Sequence, residues 1–128
     1  MAEKKFSILL VEDEENLQEA LKLNLELEGY EVSVSRDGAH ALKSFQQEHF
    51  DLIILDVMLP ELDGISVCET IRLKDSAVPI LILNAKNSSA DRVRGLKNCA
   101  EDYLTKHVNV EAFRYALQTL LNKSSKES

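Results

Sequence analysis

At 128 residues and 14.4 kDa the chain is one domain of ordinary size, long enough to bury about two-thirds of its unfolded surface without disulfides or metal. A composition of 45% hydrophobic and 29% charged residues excludes a disordered or fibrous protein. The net charge of −7 argues against nucleic-acid binding by this domain alone. The acid is concentrated in residues 1–64, with 5 basic and 15 acidic side chains against 10 and 7 in residues 65–128.

Apolar runs such as Leu52–Leu55 and Ile80–Leu83 are too short to cross a bilayer. The polar start, Met1–Lys5, carries no secretory pattern. Both observations lead us to expect a cytoplasmic protein with no membrane partner. Cys68 and Cys99 have no ligand-type spacing, so two separate buried thiols are expected.

Short apolar runs alternate with helical periodicity along the whole chain. Phe6–Val11 reads as a buried strand. A helix over Glu15–Glu28 follows, with Leu17, Ala20, Leu21 and Leu25 inward and Gly29 as its stop. Tyr30–Ser35 is a second strand. Asp37-Gly38 opens a helix to about residue 48, with Ala41, Leu42 and Phe45 inward. Asp51–Leu55 is the third strand, followed by an irregular stretch with Pro60 and Gly64 and then a helix over Ile65–Leu73. Val78–Leu83 is a fourth strand. A weaker helix is expected over Ser88–Lys97, capped by Ser88 or Ser89. Asp102–Thr105 is a short fifth strand. The last helix is Val110–Asn122, with Val110, Phe113, Leu117, Leu120 and Leu121 inward, and residues 123–128 form a polar tail or the start of a linker.

Five successive β/α units imply a parallel sheet with helices on both faces, an α/β three-layer sandwich. In such a sheet the working crevice lies beyond the carboxyl ends of the strands. Glu12 and Asp13 follow the first strand, Asp56 the third, Asn84 the fourth and Lys106 the fifth. Like charges about 4 Å apart repel by roughly 4 kcal/mol at an effective dielectric near 20, so three converging carboxylates call for a cation or shifted pKa values. Hard oxygen ligands with room for water suit Mg²⁺. A divalent cation, a lysine and an exposed carboxylate together stabilise phosphoryl transfer onto that carboxylate. Each piece also has a plain reading: an acidic helix start for Glu12–Glu15, a turn former for Asp56, a solvated lysine for Lys106. The conjunction at three strand ends is what carries weight.

Three segments resemble the response-regulator receiver domain of two-component signalling, the CheY-like superfamily. They are Ile8-Leu9-Leu10-Val11-Glu12-Asp13-Glu14, Leu55-Asp56-Val57-Met58-Leu59-Pro60-Glu61-Leu62-Asp63-Gly64 and Ala100-Glu101-Asp102-Tyr103-Leu104-Thr105-Lys106. The resemblance covers about residues 6–122, so residues 1–122 read as the receiver domain. It implies a flavodoxin-like (βα)5 fold with strand order 2-1-3-4-5. It further implies that Asp56 accepts a phosphoryl group from a sensor histidine kinase or a histidine phosphotransfer protein in a phosphorelay. Asp13, Asp56 and the Met58 backbone carbonyl would ligate Mg²⁺, with Glu12 acting through water. Lys106 would grip the phosphoryl oxygen, and Tyr103 would be the aromatic that turns inward on phosphorylation. Such a domain is a switch that catalyses only its own phosphorylation and dephosphorylation.

Three positions depart from the family pattern. Asn84 stands where the family has Thr or Ser. His107 stands where it has Pro in a cis peptide; a cis bond before a non-proline costs about 3–4 kcal/mol, so Lys106 is expected to be strained into place or displaced. Cys99 replaces a Gly at a turn. None of these removes an acid or the acceptor, and together they imply slower phosphorylation or altered switching. A pseudo-receiver that binds partners without phosphorylation is therefore the alternative. A flavin-type binder lacks its phosphate loop, and a haloacid-type phosphatase lacks the general acid two residues after Asp56.

The segments Asp91–Leu96 and Tyr103–Lys106 most resemble the winged-helix DNA-binding response regulators. Those dimerise through the fourth helix, fifth strand and fifth helix. Arg92, Glu101 and Asp102 of that ion-pair set are present, but Ala112 and Ala116 replace charged partners, so a homodimer there would lack part of the set. Leu23 and Leu27 form a second apolar pair off the core face of the first helix, near where kinase helices dock in the family.

Overall fold

A computed structural model describes residues 5–57, 64–75, 77–84, 99–105 and 109–127, with the side chains of 84 and 123–127 left undescribed. The elements are β1 (Ser7–Val11), α1 (Glu15–Leu27), β2 (Glu31–Ser35), α2 (Gly38–Gln47), β3 (Leu52–Asp56), α3 (Gly64–Lys74), β4 (Ile80–Asn84), β5 (Asp102–Thr105) and α4 (Val110–Glu127). The helix expected over residues 88–97 lies outside the described residues.

The five strands form one parallel sheet in the order β2-β1-β3-β4-β5, as expected. Strand alternation divides the interior into two layers. Ile8, Leu10, Leu52, Ile54 and Leu81 face Leu25 of α1 and Phe113, Leu117 and Leu121 of α4. Leu9, Val11, Ile53, Leu55 and Ile80 face Ala41 of α2 and Ile65, Cys68 and Ile71 of α3. β3 is central and buried along its whole length, which is why its sequence is a continuous apolar run.

Local chemistry sets the element ends. Asp37 caps α2, its carboxylate accepting from the His40 N–H at 2.8 Å. Gly29 stops α1 in the left-handed region at φ +92°, where a side chain would be strained.

Two expected core faces, the cysteine reading and one helix end need correction. Ala20 is exposed, and Gln18 is buried in its stead. The inward stripe runs through positions 17, 18, 21 and 25, and Ala20 falls about a sixth of a turn outside it at 100° per residue. Val110 is 56% exposed; it is the first residue of α4, and the buried stripe there begins at Phe113 and takes in Ala116. Cys68 and Cys99 are not separate thiols. Their sulfurs are bonded, with Cα atoms 5.8 Å apart across 31 positions of sequence, a contact made by the parallel crossover. α4 also runs beyond Asn122 to Glu127, because the Lys-Ser-Ser-Lys-Glu segment holds no Gly or Pro to stop it.

Candidate functional site

The ends of β1 and β3 lie side by side, with Val11 paired to Leu55. Glu12, Asp13 and Asp56 therefore emerge together. One carboxylate oxygen from each lies within 4.8 Å of the others. Glu12 is 1% exposed and Asp56 2%, whereas Asp13 is exposed. At that separation each like-charged pair repels by about 3–4 kcal/mol at an effective dielectric near 20, and burial adds a desolvation cost. An oxygen-rich group of this kind, half buried and open on one side at Asp13, fits a hard divalent cation that keeps part of its water.

The backbone around the group is held at several points. The Glu12 N–H donates to the Ser35 carbonyl at 3.0 Å, extending the β1–β2 ladder by one residue. The Glu12 carboxylate accepts from the Glu14 N–H at 3.1 Å. The Gln18 side-chain amide donates to the Glu12 carbonyl at 2.8 Å, which explains why a polar residue is buried on α1. Beyond Asp56, the Val57 N–H donates to the Leu83 carbonyl at 3.3 Å, and the Gly64 N–H donates to the Val57 carbonyl at 2.8 Å. α3 thus starts directly on the backbone that carries Asp56. A Cβ on Gly64 would lie 2.0 Å from the Asp56 carbonyl oxygen, so only glycine fits.

Tyr103 of β5 pairs in register with Ile82 and is buried in the layer that holds Cys68 and Cys99. Asn84 ends β4 opposite Thr105, which puts its backbone at the carboxyl edge; its side chain lies outside the described residues. Met58, Lys106 and His107 also lie outside them.

Sequence reasoning missed a second polar cluster, at the amino ends of β4 and β5. Arg72 of α3 donates from Nε and Nη2 to the Cys99 carbonyl at 3.0 and 2.7 Å, and from Nη2 to both carboxylate oxygens of Glu101 at 3.0 Å. The Glu101 carboxylate also accepts from the Ile80 N–H at 2.6 Å. Its partners lie 21 and 29 positions away in sequence, a distance that periodicity does not reach.

The family model of the response regulator receiver domain matches residues 8–118. The alkaline phosphatase synthesis transcriptional regulatory protein PhoP of Bacillus subtilis is 44% identical over 117 residues, covering 91% of this chain and 49% of that protein. The transcriptional regulatory protein TrcR of Mycobacterium tuberculosis is 40% identical over 118 residues, covering 92% and 46%. The chain thus spans about half the length of the curated relatives it matches. Among solved structures, a CheY-like receiver domain from Methanospirillum hungatei superposes with a TM-score of 0.94 at 26% identity, covering 98% of this chain and all of that one. The response regulator TrrA of Thermotoga maritima, solved with Mg²⁺ and a beryllium fluoride, gives 0.83 at 33% identity, covering 90% and 98%. The strand order, the acidic group at the β1 and β3 ends and these matches agree, and the chain belongs to the response regulator receiver domain family, the signalling switches of two-component systems.

Proposed function

We propose that Asp56 is the phosphoacceptor of this switch. A carboxylate oxygen of Asp56 attacks the phosphorus of a phosphohistidine on a sensor histidine kinase or histidine phosphotransfer protein. The P–N bond breaks, and the imidazole leaves with its electron pair. The observation that carries this reading is the grouping of Asp56 with Glu12 and Asp13 at the carboxyl edge of the sheet. Asp13, Asp56 and the Met58 backbone carbonyl would hold Mg²⁺, with Glu12 acting through water. When bound, the cation supplies positive charge that offsets the carboxylates and the phosphoryl oxygens.

The chain's own residues do the rest. Gly64 lets α3 close against the Asp56 backbone, and Gln18 fixes the Glu12 carbonyl. Lys106 holds a phosphoryl oxygen. Asn84 donates its amide where the family has a hydroxyl, and Tyr103 reports the change. The only catalysis is of Asp56 phosphorylation and dephosphorylation by the domain itself.

The receiver unit is residues 1–122, beyond which α4 runs on to Glu127 as a polar tail or the start of a linker, and it works in the cytoplasm. The matched relatives named above are transcriptional regulators, and a transcriptional output is proposed for the whole protein, with nucleic-acid contact made outside this acidic domain. A homodimer through the segment before β5, β5 itself and α4 would form without Glu101, which Arg72 already holds within the chain. The test is incubation with Mg²⁺ and acetyl phosphate. A base-labile phosphoryl mass increment in the wild type and none in Asp56→Asn supports the proposal; no increment in either refutes it.

A further inference from the structure

α3 and the approach to β5 are joined twice. One joint is polar: Arg72 donates to the Cys99 carbonyl and to Glu101. The other is the Cys68–Cys99 link, one turn before Arg72 on the same helix. Of the joined elements, α3 reaches the acidic group directly, and β5 pairs with β4 beside it. The first residue of α3, Gly64, donates to the Val57 carbonyl and touches the Asp56 backbone, and β5 begins three residues after Cys99 and carries Tyr103. The polar joint involves no redox-active atom, whereas the sulfur joint depends on the redox state.

We propose that Cys68 and Cys99 are a reversible dithiol–disulfide couple whose oxidation locks α3 to the approach to β5. Cα atoms 5.8 Å apart lie within the ordinary disulfide range, so the backbone seats the link. Cys99 is 6% exposed and Cys68 0%, which makes Cys99 the entry point for exchange.

The oxidant is a low-molecular-weight disulfide such as oxidised glutathione. The Cys99 thiolate attacks one of its sulfurs, an S–S bond forms, and one glutathione thiolate leaves. The Cys68 thiolate then attacks the Cys99 sulfur of the mixed disulfide and expels the second glutathione. Two electrons pass to the oxidant, and the two cysteine protons end on the two released thiols. Excess reduced glutathione runs the sequence backwards. In a reducing cytoplasm a protein disulfide is ordinarily transient or redox-sensing rather than a static brace.

The consequence for signalling rests on the Asp56 reading: with α3 and β5 locked together, the site and Tyr103 cannot shift independently, and the lifetime of the aspartyl phosphate differs between the two forms.

The test holds the wild-type protein in glutathione buffers from fully reduced to fully oxidised and counts alkylatable thiols by intact mass. Amide exchange of α3 and β5 is followed in both forms. The expected result is two thiols that disappear together as the buffer is oxidised and return on reduction, with faster exchange in α3 and β5 of the reduced form. Thiols that stay free, or a link that persists, across the whole range would overturn the couple. Unchanged exchange would overturn the lock. Neither measurement depends on Asp56. Acetyl phosphate labelling of both forms then reads the consequence, and equal phosphoryl lifetimes would overturn it. Thiol interconversion with altered exchange but no labelling in either form would uphold the couple and refute Asp56 as acceptor. Cys68→Ala and Cys99→Ala should each abolish the redox response of amide exchange.

Discussion

A Cβ on Gly64 would stand 2.0 Å from the Asp56 carbonyl oxygen and 2.7 Å from the Val57 Cα. The start of α3 is thus packed directly on the backbone that carries the proposed acceptor, and nothing at this contact is a flexible side chain that could yield. Gly64→Ala should therefore move α3 or the end of β3, at a cost of about 3 kcal/mol, the upper range for overpacking. A urea unfolding midpoint shifted well below wild type checks it, and Mg²⁺ affinity should fall with it.

Gln18 is the one polar residue of α1 that is buried among the described residues, and its amide satisfies the Glu12 carbonyl. Gln18→Leu keeps the volume and removes the donor. A lost intramolecular hydrogen bond costs about 0.5–1.5 kcal/mol, so chemical denaturation should show a loss of that size despite the added hydrophobicity.

Arg72 and Glu101 tie α3 to the β4 and β5 entrances through five hydrogen bonds. The pair is partly exposed, at 17% and 28%, and that limits its worth. Arg72→Ala should still cost about 1–2 kcal/mol, because the Cys99 carbonyl loses the guanidinium and the Glu101 carboxylate keeps the Ile80 N–H but loses its cation. The loss should shrink as salt is added to the denaturation series.

Reducing the Cys68–Cys99 link releases a loop of 31 positions. In the chain-entropy picture that closure contributes about 3–4 kcal/mol. Thermal unfolding with and without a strong reductant should show the reduced protein melting lower, and Cys68→Ala should be insensitive to reductant.

The Tyr30 phenol titrates above its ordinary 10.0, because burial disfavours the phenolate and Glu28 adds to the effect, while Arg114 opposes it. Arg114 forms an ion pair with Glu28, so Arg114→Gln should raise the Tyr30 value further. A raised folded value means this stabilisation is complete below pH 10.0 and is lost as pH rises through the folded pKa. Ultraviolet difference titration against Tyr30→Phe reads the shift.

The fold was legible because each strand and helix has its own period, and β3, buried on both faces, reads as an unbroken apolar run. The acidic group was legible because the ends of parallel strands converge by topology. Glu12, Asp13 and Asp56 stand at positions where chain order alone predicts a shared rim. Gln18, Arg72–Glu101 and Cys68–Cys99 were not legible. Gln18 is buried by a hydrogen bond to the chain, against its ordinary preference for solvent. Arg72 and Cys68 meet their partners across 29 and 31 positions, and no local pattern records which side chains face each other over a crossover.

The most direct test of the central claim is to locate the phosphoryl group. Wild-type protein incubated with Mg²⁺ and acetyl phosphate would be reduced with borohydride, which converts an aspartyl phosphate to homoserine, and then mapped by peptide mass spectrometry. The account predicts homoserine at position 56, dependent on Mg²⁺ and reduced in Asp13→Asn. Conversion at another carboxylate, or none anywhere while the protein is folded and Mg²⁺ is present, would contradict it.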